Sequence, residues 1–286
     1  MLSVSKQASD LYRLAKEIEK PDGTVRKTYD ALPLLKDIQR RIKSNILDRV
    51  RFPDYLTGSI KGRDYKANAE LHQGAKIVIT EDIGSFFPST TDEHVYDIWR
   101  CFFGFSPEVA ECLRALTTRH GELPQGGSTS PQLANLVFWR NEPRLRDRLY
   151  AEGVTYSRFV DDVAASSRTR IAPDKKREII DAIYGLMLHE GYKPKRQKHE
   201  LKTSRERMAV TTLSINQKPG VAPKERARIR AAVHRLEQLA LLKQGDIGHS
   251  SEFKSVLGKV SNLSRFHSGE AKLLKLRLGR ILVPER

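Results

Sequence analysis

Two adjacent aspartates, Asp161 and Asp162, stand between VTYSRFV and VAAS, which have the pattern of two short strands. Side chains alternate between the two faces of a strand, so both carboxylates reach one small volume only at a hairpin tip. Buried carboxylates are costly without a compensating cation, and two divalent ions would clamp the attacking and leaving oxygens of a phosphoryl transfer. For the dipeptide alone, a solvated turn is the favoured interpretation.

A third acid follows a second short strand. Residues 75–80, AKIVIT, are rich in β-branched side chains and predict a buried strand that ends at Glu81 and Asp82. If this strand lies beside the predicted hairpin, Asp82 joins the other two aspartates. Oxygen ligands of this kind suit Mg²⁺, and the chain offers no His/Cys cage for another metal.

The surrounding patterns predict the elements that position these acids. An apolar stripe over residues 33–50 predicts a helix. A second helix is predicted with Ser130 as N-cap and Pro131 in its first turn, divided near Pro143. The pattern after residue 221 is mostly helical and basic. Together these features predict an α+β protein with a helical end and a boundary near residue 215.

Composition indicates a globular protein that binds a polyanion. The 286 residues are 39% hydrophobic and carry a formal charge of +16. The excess is concentrated in residues 191–286, with 22 basic and 8 acidic residues, including KERARIR and KLLKLRLGR. Such a segment is typical of nucleic-acid binding through phosphates. The two cysteines, and the lack of a signal-peptide or membrane-spanning pattern, predict a cytoplasmic protein with no membrane partner.

Three segments resemble, in text and spacing, the central motifs of reverse transcriptases: IVITEDIGSFFPST, LPQGGSTSPQLANL and YSRFVDDVAAS. The first has Asp82 followed by an aromatic, Phe87, five residues later, with Phe86 expected in the core. The second is a Pro-Gln-Gly loop that opens a helix. The third has Phe159 where the family has Tyr, a ring expected to pack beneath the acids and take no part in proton transfer.

The resemblance extends on both sides of these motifs. DGTVRKTYD resembles the family's fingers segment, where Arg26 matches the basic residue that meets the triphosphate and Lys27 is the alternative. HEGYKPKRQKHELKT resembles the segment after the active-site hairpin, with Gly191 and Lys198 matching and Lys195 where Asn is common.

Two short segments resemble markers of the bacterial retron type. NAELH, residues 68–72, matches Asn-Ala-x-x-His before the first catalytic motif. VTT, residues 210–212, stands where these enzymes have Val-Thr-Gly after the palm. One marker is intact and the other is altered.

The resemblance implies a right-hand polymerase with fingers and palm in residues 1–215 and a basic helical thumb in residues 216–286. The implied ligands of two Mg²⁺ ions, with Mn²⁺ as a substitute, are the carboxylates of Asp82, Asp161 and Asp162 and the carbonyl of Ile83. The implied nucleotide contacts are Arg26, Phe87, Gln125, Gly126 and Lys198. The implied RNA contacts are Asn68, His72, Arg226, Arg228 and Arg230.

Simpler alternatives stay open for several of these residues. Phe87 is either the ring that excludes a ribose 2′-hydroxyl or a core aromatic. Arg26 is either a triphosphate ligand or a solvated arginine. Lys198 either gives a proton to pyrophosphate or faces RNA. Asn68 and His72 either contact RNA or buttress the palm.

The function implied is RNA-directed DNA polymerisation of the retron type. The enzyme would copy a cognate structured noncoding RNA with deoxynucleoside triphosphates, prime from a 2′-hydroxyl, and make a branched RNA–DNA molecule (msDNA). Retrons generally pair the polymerase with an effector protein, a toxin, in antiphage defence. The alternatives are another bacterial reverse transcriptase, of diversity-generating, intron-like or other defence type, and a noncatalytic RNA-binding scaffold with the same fold.

Overall fold

The computed structural model describes residues 2–19, 23–242 and 250–282. Its strands are β1 (Tyr12–Glu19), β2 (Val25–Ala31), β3 (Ile77–Asp82), β4 (Thr155–Phe159), β5 (Asp162–Ser167), β6 (Glu200–Thr203), β7 (Ala209–Val210) and β8 (Leu213–Ser214). Its helices are α1 (Leu2–Ser5), α2 (Pro33–Asn45), α3 (Tyr65–Leu71), α4 (Phe86–Ser89), α5 (Asp92–Asp97), α6 (Pro107–Thr117), α7 (Ser130–Leu136), α8 (Glu142–Ala151), α9 (Pro173–His189), α10 (Pro223–Leu242), α11 (Ser251–Leu263) and α12 (Ser268–Leu282).

The central sheet is antiparallel, with strand order β4-β5-β3-β6. The predicted hairpin is confirmed as β4 and β5, and the predicted strand at 75–80 is confirmed as β3, shifted two residues toward the acids. β3 pairs with β5 in a register that sets Asp82 opposite Asp162. The sheet topology therefore brings the two predicted acidic segments to one end of adjacent strands.

The two faces of the sheet pack against different elements because strand side chains alternate. Ile79 and Val163 belong to the main hydrophobic core, which includes residues of α7, α8 and α9. Val78 and Ala164 belong to a smaller cluster with residues of α3, β7 and β8. We call these the helix face and the cavity face of the sheet. Asp82 has the same parity along β3 as Val78 and lies on the cavity face.

The helix predicted from Ser130 onward is divided, as the sequence indicates. α7 ends at Leu136, and α8 begins at Glu142 with Pro143 in its first turn. The N-cap prediction is wrong by one residue, since Ser130 is already helical and Thr129 takes the cap position without a side-chain bond. Pro131 lies in the first turn, where its missing N–H has no helical partner to lose.

The predicted helical end is confirmed in the described residues. Helices α10, α11 and α12 pack around a hydrophobic cluster of their own, which includes Val233, Phe253 and Leu274. The bundle contacts α3 through Tyr65, whose hydroxyl donates to Asn262 Oδ1 at 2.5 Å and whose ring centroid lies 5.9 Å from that of Phe266. The Arg265 guanidinium also pairs with Asp64, the N-cap of α3. None of the helices in the described ranges is both long and apolar enough to cross a bilayer.

Candidate active site

Three carboxylates meet where β3 ends and the β4–β5 hairpin turns. Phe159 pairs with Asp162 across the hairpin, and the tip residue Val160 has a φ of 61°. The Asp161 carbonyl accepts a hydrogen bond from the Ile83 amide at 3.0 Å, which joins the tip to the end of β3. The predicted grouping of Asp82, Asp161 and Asp162 is thus present in the structure.

Burial and mutual repulsion raise the pKa values of two of the carboxylates. Burial, followed by the charge of Asp82, raises the pKa of Asp161 above its usual range. Desolvation by surrounding protein and the charges of Asp161 and Asp82 raise the pKa of Asp162 to about 7, although its side chain stays open to the cavity. All three carboxylates can stay ionised together only if a positive group lies close by.

A lysine supplies positive charge at this site. The Lys198 ammonium donates to Asp82 Oδ2 in a short ion pair. Burial would lower the pKa of Lys198, but the hydrogen bond to Asp82 and the nearby carboxylates raise it. In the described ranges, no group of three acidic, His or Cys side chains already has metal-binding geometry. The donors are nevertheless all oxygens on one small surface, which is the ligand chemistry that Mg²⁺ uses.

The strained hairpin tip is held by a segment just before α3. The Thr57 amide donates to the Arg158 carbonyl at 3.0 Å. Gly58 lies so close to the tip that a Cβ there would stand 2.6 Å from the Val160 nitrogen. Its carbonyl accepts from Asn135 at 2.8 Å. Since a β-branched residue rarely adopts a positive φ, this close packing is what keeps the turn in place.

Arg158 is a supporting residue that the sequence reasoning missed. Its side chain is fully buried and pairs with Glu142, with Nε 2.7 Å from Oε1 and a second bond at 2.9 Å. It also donates to the carbonyls of Val160 and Asn135. The only signal in the sequence is an arginine inside a strand that is otherwise buried.

The fingers hairpin, β1 with β2, contacts the Pro-Gln-Gly loop directly. The Tyr29 amide donates to the Gln125 carbonyl at 2.7 Å. Gly126 has a φ of +100°, and a Cβ there would meet the Tyr29 carbonyl oxygen at 2.5 Å. Glycine is therefore required at this position for both conformation and space.

The two basic candidates on β2 have different surroundings. Arg26 is close enough to the acids that its charge lowers the pKa of Asp161, against the larger effect of burial. Lys27 points to Glu17 across the hairpin, with 4.0 Å between Nζ and Oε1. This arrangement favours Arg26 over the alternative, Lys27, as the group that faces the catalytic end.

The two phenylalanines of the first motif separate as predicted. Phe86 is buried, with its ring centroid 5.4 Å from that of Tyr192. Phe87 is only partly buried and meets Phe86 edge-on at 5.8 Å. They begin the short helix α4, so the separation follows from a helical turn and not from strand alternation.

Asn68 and His72 buttress the palm. The His72 imidazole is buried between the two hairpin strands, with Nδ1 2.7 Å from Ser166 Oγ and Nε2 2.7 Å from Ser157 Oγ. Asn68 is equally buried and accepts from the Thr57 hydroxyl at 2.9 Å. The burial of both side chains and their internal hydrogen bonds favour the structural alternative, and their contact with RNA stays a prediction.

The altered marker lies against the intact one. Thr211 and Thr212 both have positive φ, 46° and 74°, in the turn between β7 and β8. The Thr211 hydroxyl donates to the Tyr65 carbonyl of α3 at 3.0 Å. Both segments line a cavity of about 360 Å³ that also contains Asp82, Asp162 and Lys198. The two short segments that resemble retron markers thus converge beside the acids.

The three arginines predicted to bind RNA all lie on α10 and all have acidic partners. Arg226 and Arg230 both donate to Glu270 of α12, each at 2.6 Å. Arg228 pairs with Glu225 at 3.2 Å, and its side chain is 67% exposed. Two of the three therefore tie α10 to α12, and their RNA contact stays a prediction.

The fold is that of a polymerase fingers and palm. It resembles the structure of apo telomerase from Candida tropicalis truncated from its C-terminal domain, with a TM-score of 0.52 and 12% identity over 77% of this chain and 58% of that one. A similarity at this identity bears on the fold alone.

Sequence comparison assigns the family. Residues 18–225 match the family described as reverse transcriptase (RNA-dependent DNA polymerase). The retron Se72 reverse transcriptase of Salmonella heidelberg is 30% identical over 261 residues, 90% of this chain and 69% of that protein. The retron Ec48 and Ec86 reverse transcriptases of Escherichia coli are 29% and 28% identical, over 93% and 84% of this chain and 68% and 72% of theirs. The chain belongs to the reverse transcriptase family and, within it, to the retron reverse transcriptases, which confirms the predicted enzyme class.

Protonation of His72 should destabilise this fold. Burial lowers the pKa of His72 from 6.5 to about 4, so the folded protein keeps it neutral while the unfolded chain is protonated near pH 6.5. The free energy of unfolding should therefore be highest above pH 6.5. It should fall by roughly 3 kcal/mol as the pH is lowered from 6.5 to 4, because only the unfolded chain gains the proton in this range. The free energy of unfolding, measured with urea across this pH range, should fall more steeply with decreasing pH in the parent than in His72→Gln.

His189→Gln is the matched control, because the side chain of His189 is 71% exposed. It should retain the pH dependence of the parent. Equal slopes for the parent and His72→Gln would contradict the account of a neutral, buried imidazole.

Proposed function

We propose that this retron reverse transcriptase copies a cognate structured noncoding RNA, primes from a 2′-hydroxyl of that RNA, and produces branched RNA–DNA. The observation that carries the catalytic part is the convergence of Asp82, Asp161 and Asp162 beside Lys198. The similarity to several retron enzymes supports the template and priming mode.

The three carboxylates, with the Ile83 carbonyl, are proposed to hold two Mg²⁺ ions, and Mn²⁺ would substitute. Such ions would lower the pKa of the attacking hydroxyl and would neutralise negative charge on the leaving pyrophosphate. The raised pKa values of Asp161 and Asp162 support this role, because burial and the neighbouring carboxylates disfavour their ionised forms and a bound cation would favour them.

The nucleotide is proposed to lie between β2 and the hairpin. Arg26 would bind its triphosphate oxygens, and Lys198 would give a proton to the departing pyrophosphate. Gln125 and Gly126 would lie against the nascent base pair. The hydrogen bond from Tyr29 to the Gln125 carbonyl supports this assignment, since it holds the loop to the strand that carries Arg26.

Residues 1–215 are proposed as fingers and palm, and residues 216–286 as the thumb. The separate hydrophobic cluster of α10–α12 and the strong basic excess of this part of the chain support a duplex-gripping role. Arg228, the most exposed of the three α10 arginines, is the best placed of them for a phosphate contact.

The proposed setting is the bacterial cytoplasm, with an effector protein as partner in antiphage defence. The similarity to retron reverse transcriptases of Salmonella heidelberg and Escherichia coli supports the bacterial setting.

The copurifying nucleic acid tests the proposed function. When the gene is expressed with its native flanking DNA, the parent should yield a DNase-sensitive product whose mobility shifts after RNase or debranching treatment. Asp161→Asn/Asp162→Asn should yield none, because the proposed metal ligands are lost. Asp37→Asn/Asp147→Asn, at carboxylates 67% and 68% exposed, removes the same charge elsewhere and should keep the product.

Other outcomes separate the alternatives. Unbranched DNA would retain the polymerase and reject 2′-priming. RNA alone in every sample, with phage protection intact in the Asp161→Asn/Asp162→Asn variant, would favour the noncatalytic scaffold.

Phe87→Ala should relax sugar selection. Removal of the partly buried ring opens the space where a ribose 2′-hydroxyl would collide, so the preference for deoxynucleotides should fall by roughly 10- to 100-fold. The measurement is single-nucleotide incorporation of dNTP against NTP. Phe102→Ala, at an exposed aromatic that packs edge-on against Trp139, is the control. The role is rejected if Phe87→Ala excludes ribonucleotides as well as the parent does.

A further inference from the structure

The edge of β3 that carries the catalytic acid has an interrupted hydrogen-bonding pattern. β6 pairs with β3 from Ile77 to Thr80. Pairing resumes beyond Glu81, where the Asp82 carbonyl accepts from the Lys195 amide at 2.7 Å and the Gly84 amide donates to the Lys193 carbonyl at 2.8 Å. Between the two stretches, residues 196–198 form a 3₁₀ turn. The backbone ladder is therefore absent opposite Glu81.

Side chains replace the ladder at this gap. Lys198, at the end of the turn, reaches Asp82 on the cavity face. The next residue, His199, reaches Glu81, with Nδ1 2.6 Å from Oε1. Since Glu81 and Asp82 are consecutive on a strand, their side chains leave opposite faces. The Lys198–Asp82 and His199–Glu81 pairs therefore fix the end of the 196–198 turn on both faces of the sheet.

Glu81 is anchored deeply on the helix face. Its side chain is 1% exposed, and its second oxygen accepts from the Tyr184 hydroxyl of α9 at 3.0 Å. The Arg196 guanidinium of the turn stands 6.0 Å from the centre of the Tyr184 ring. A carboxylate this buried is stable only when its partners are well aligned, so its geometry is restrictive.

From this arrangement we infer that Glu81 is a positioning residue, which holds the 196–198 turn through His199 so that Lys198 is presented to the catalytic end. The inference rests on the proposed role of Lys198. It assigns a function to the acid next to Asp82 and explains why two consecutive acids end β3.

The test is single-turnover incorporation of one deoxynucleotide by Glu81→Leu, His199→Ala and Lys198→Ala, and by Glu81→Leu in the Lys198→Ala background. Misplacement of a reacting group commonly costs between tenfold and a hundredfold, so Glu81→Leu should slow incorporation by about tenfold or more. Apparent nucleotide affinity should change little, because Arg26 and the Pro-Gln-Gly loop are untouched. Glu81→Gln, which keeps the shape and one acceptor, should restore part of the rate.

Non-additivity separates positioning from a general structural role. In the Lys198→Ala background, Glu81→Leu should add no more than about a twofold loss, since residues that act through one group do not add. Lys202→Gln, which removes an exposed β6 ion pair with Glu200, is the control and should keep the parental rate. His199→Ala removes the other partner of the same contact, at a side chain that is only partly buried. It replaces Glu81→Leu in the test if that variant does not fold.

This inference alone would be overturned if the rate losses of Glu81→Leu and Lys198→Ala multiplied in the double variant. It would also be overturned if Glu81→Leu and His199→Ala both kept the parental rate while Lys198→Ala was slow. A parental rate in Lys198→Ala would instead reject the role proposed for Lys198, and the inference with it.

Discussion

The structure depends on one register, the antiparallel pairing that sets Asp82 of β3 opposite Asp162 of β5. This pairing collects three carboxylates that repel one another, and burial together with this repulsion raises the pKa values of Asp161 and Asp162. A hairpin tip carrying that charge would open unless other contacts opposed it. Much of the surrounding palm can be understood as the set of contacts that does so.

Those contacts come from three directions. The buried Arg158–Glu142 pair holds the hairpin from the helix face. The desolvation cost of this ion pair is offset because the guanidinium also donates hydrogen bonds to the backbone carbonyls of Val160 and Asn135. Gly58 closes over the tip, where Val160 has a left-handed φ. His72 links both hairpin strands from the cavity side. Backbone strain at the tip is thus maintained by packing around it, a common arrangement at catalytic sites.

Local sequence patterns predicted the strand before Asp82, the hairpin at Asp161 and Asp162 and the divided helix, whereas the resemblance to reverse transcriptases was needed to identify these acids as a catalytic site. A β-branched run stands just before Glu81 and Asp82. Because strand side chains alternate, the adjacent Asp161 and Asp162 can face one volume only at a turn. The division of the helix at Pro143 follows from the chemistry of proline. These features are short-range, so one sequence contains them.

The supporting contacts could not be predicted because they join residues distant in the chain. His72 bonds to serines 85 and 94 residues away, and nothing local shows that its ring faces inward. Arg226 and Arg230 look like free positive charge until Glu270, 44 and 40 residues later, is brought against them. The count of basic residues therefore overestimates the positive charge available to nucleic acid. The position of Asn68 and His72 in a short motif likewise does not show that both side chains make buried structural hydrogen bonds.

The central claim is that the repelling carboxylates are compensated by divalent cations during catalysis. Anomalous scattering from crystals grown with Mn²⁺, a primed template and an unreactive deoxynucleotide tests it most directly. The account predicts two peaks about 4 Å apart, bounded by Asp82 and Asp161, with the Lys198 ammonium no longer on Asp82. A bound nucleotide with no manganese at these carboxylates, and Lys198 still paired with Asp82, would contradict it.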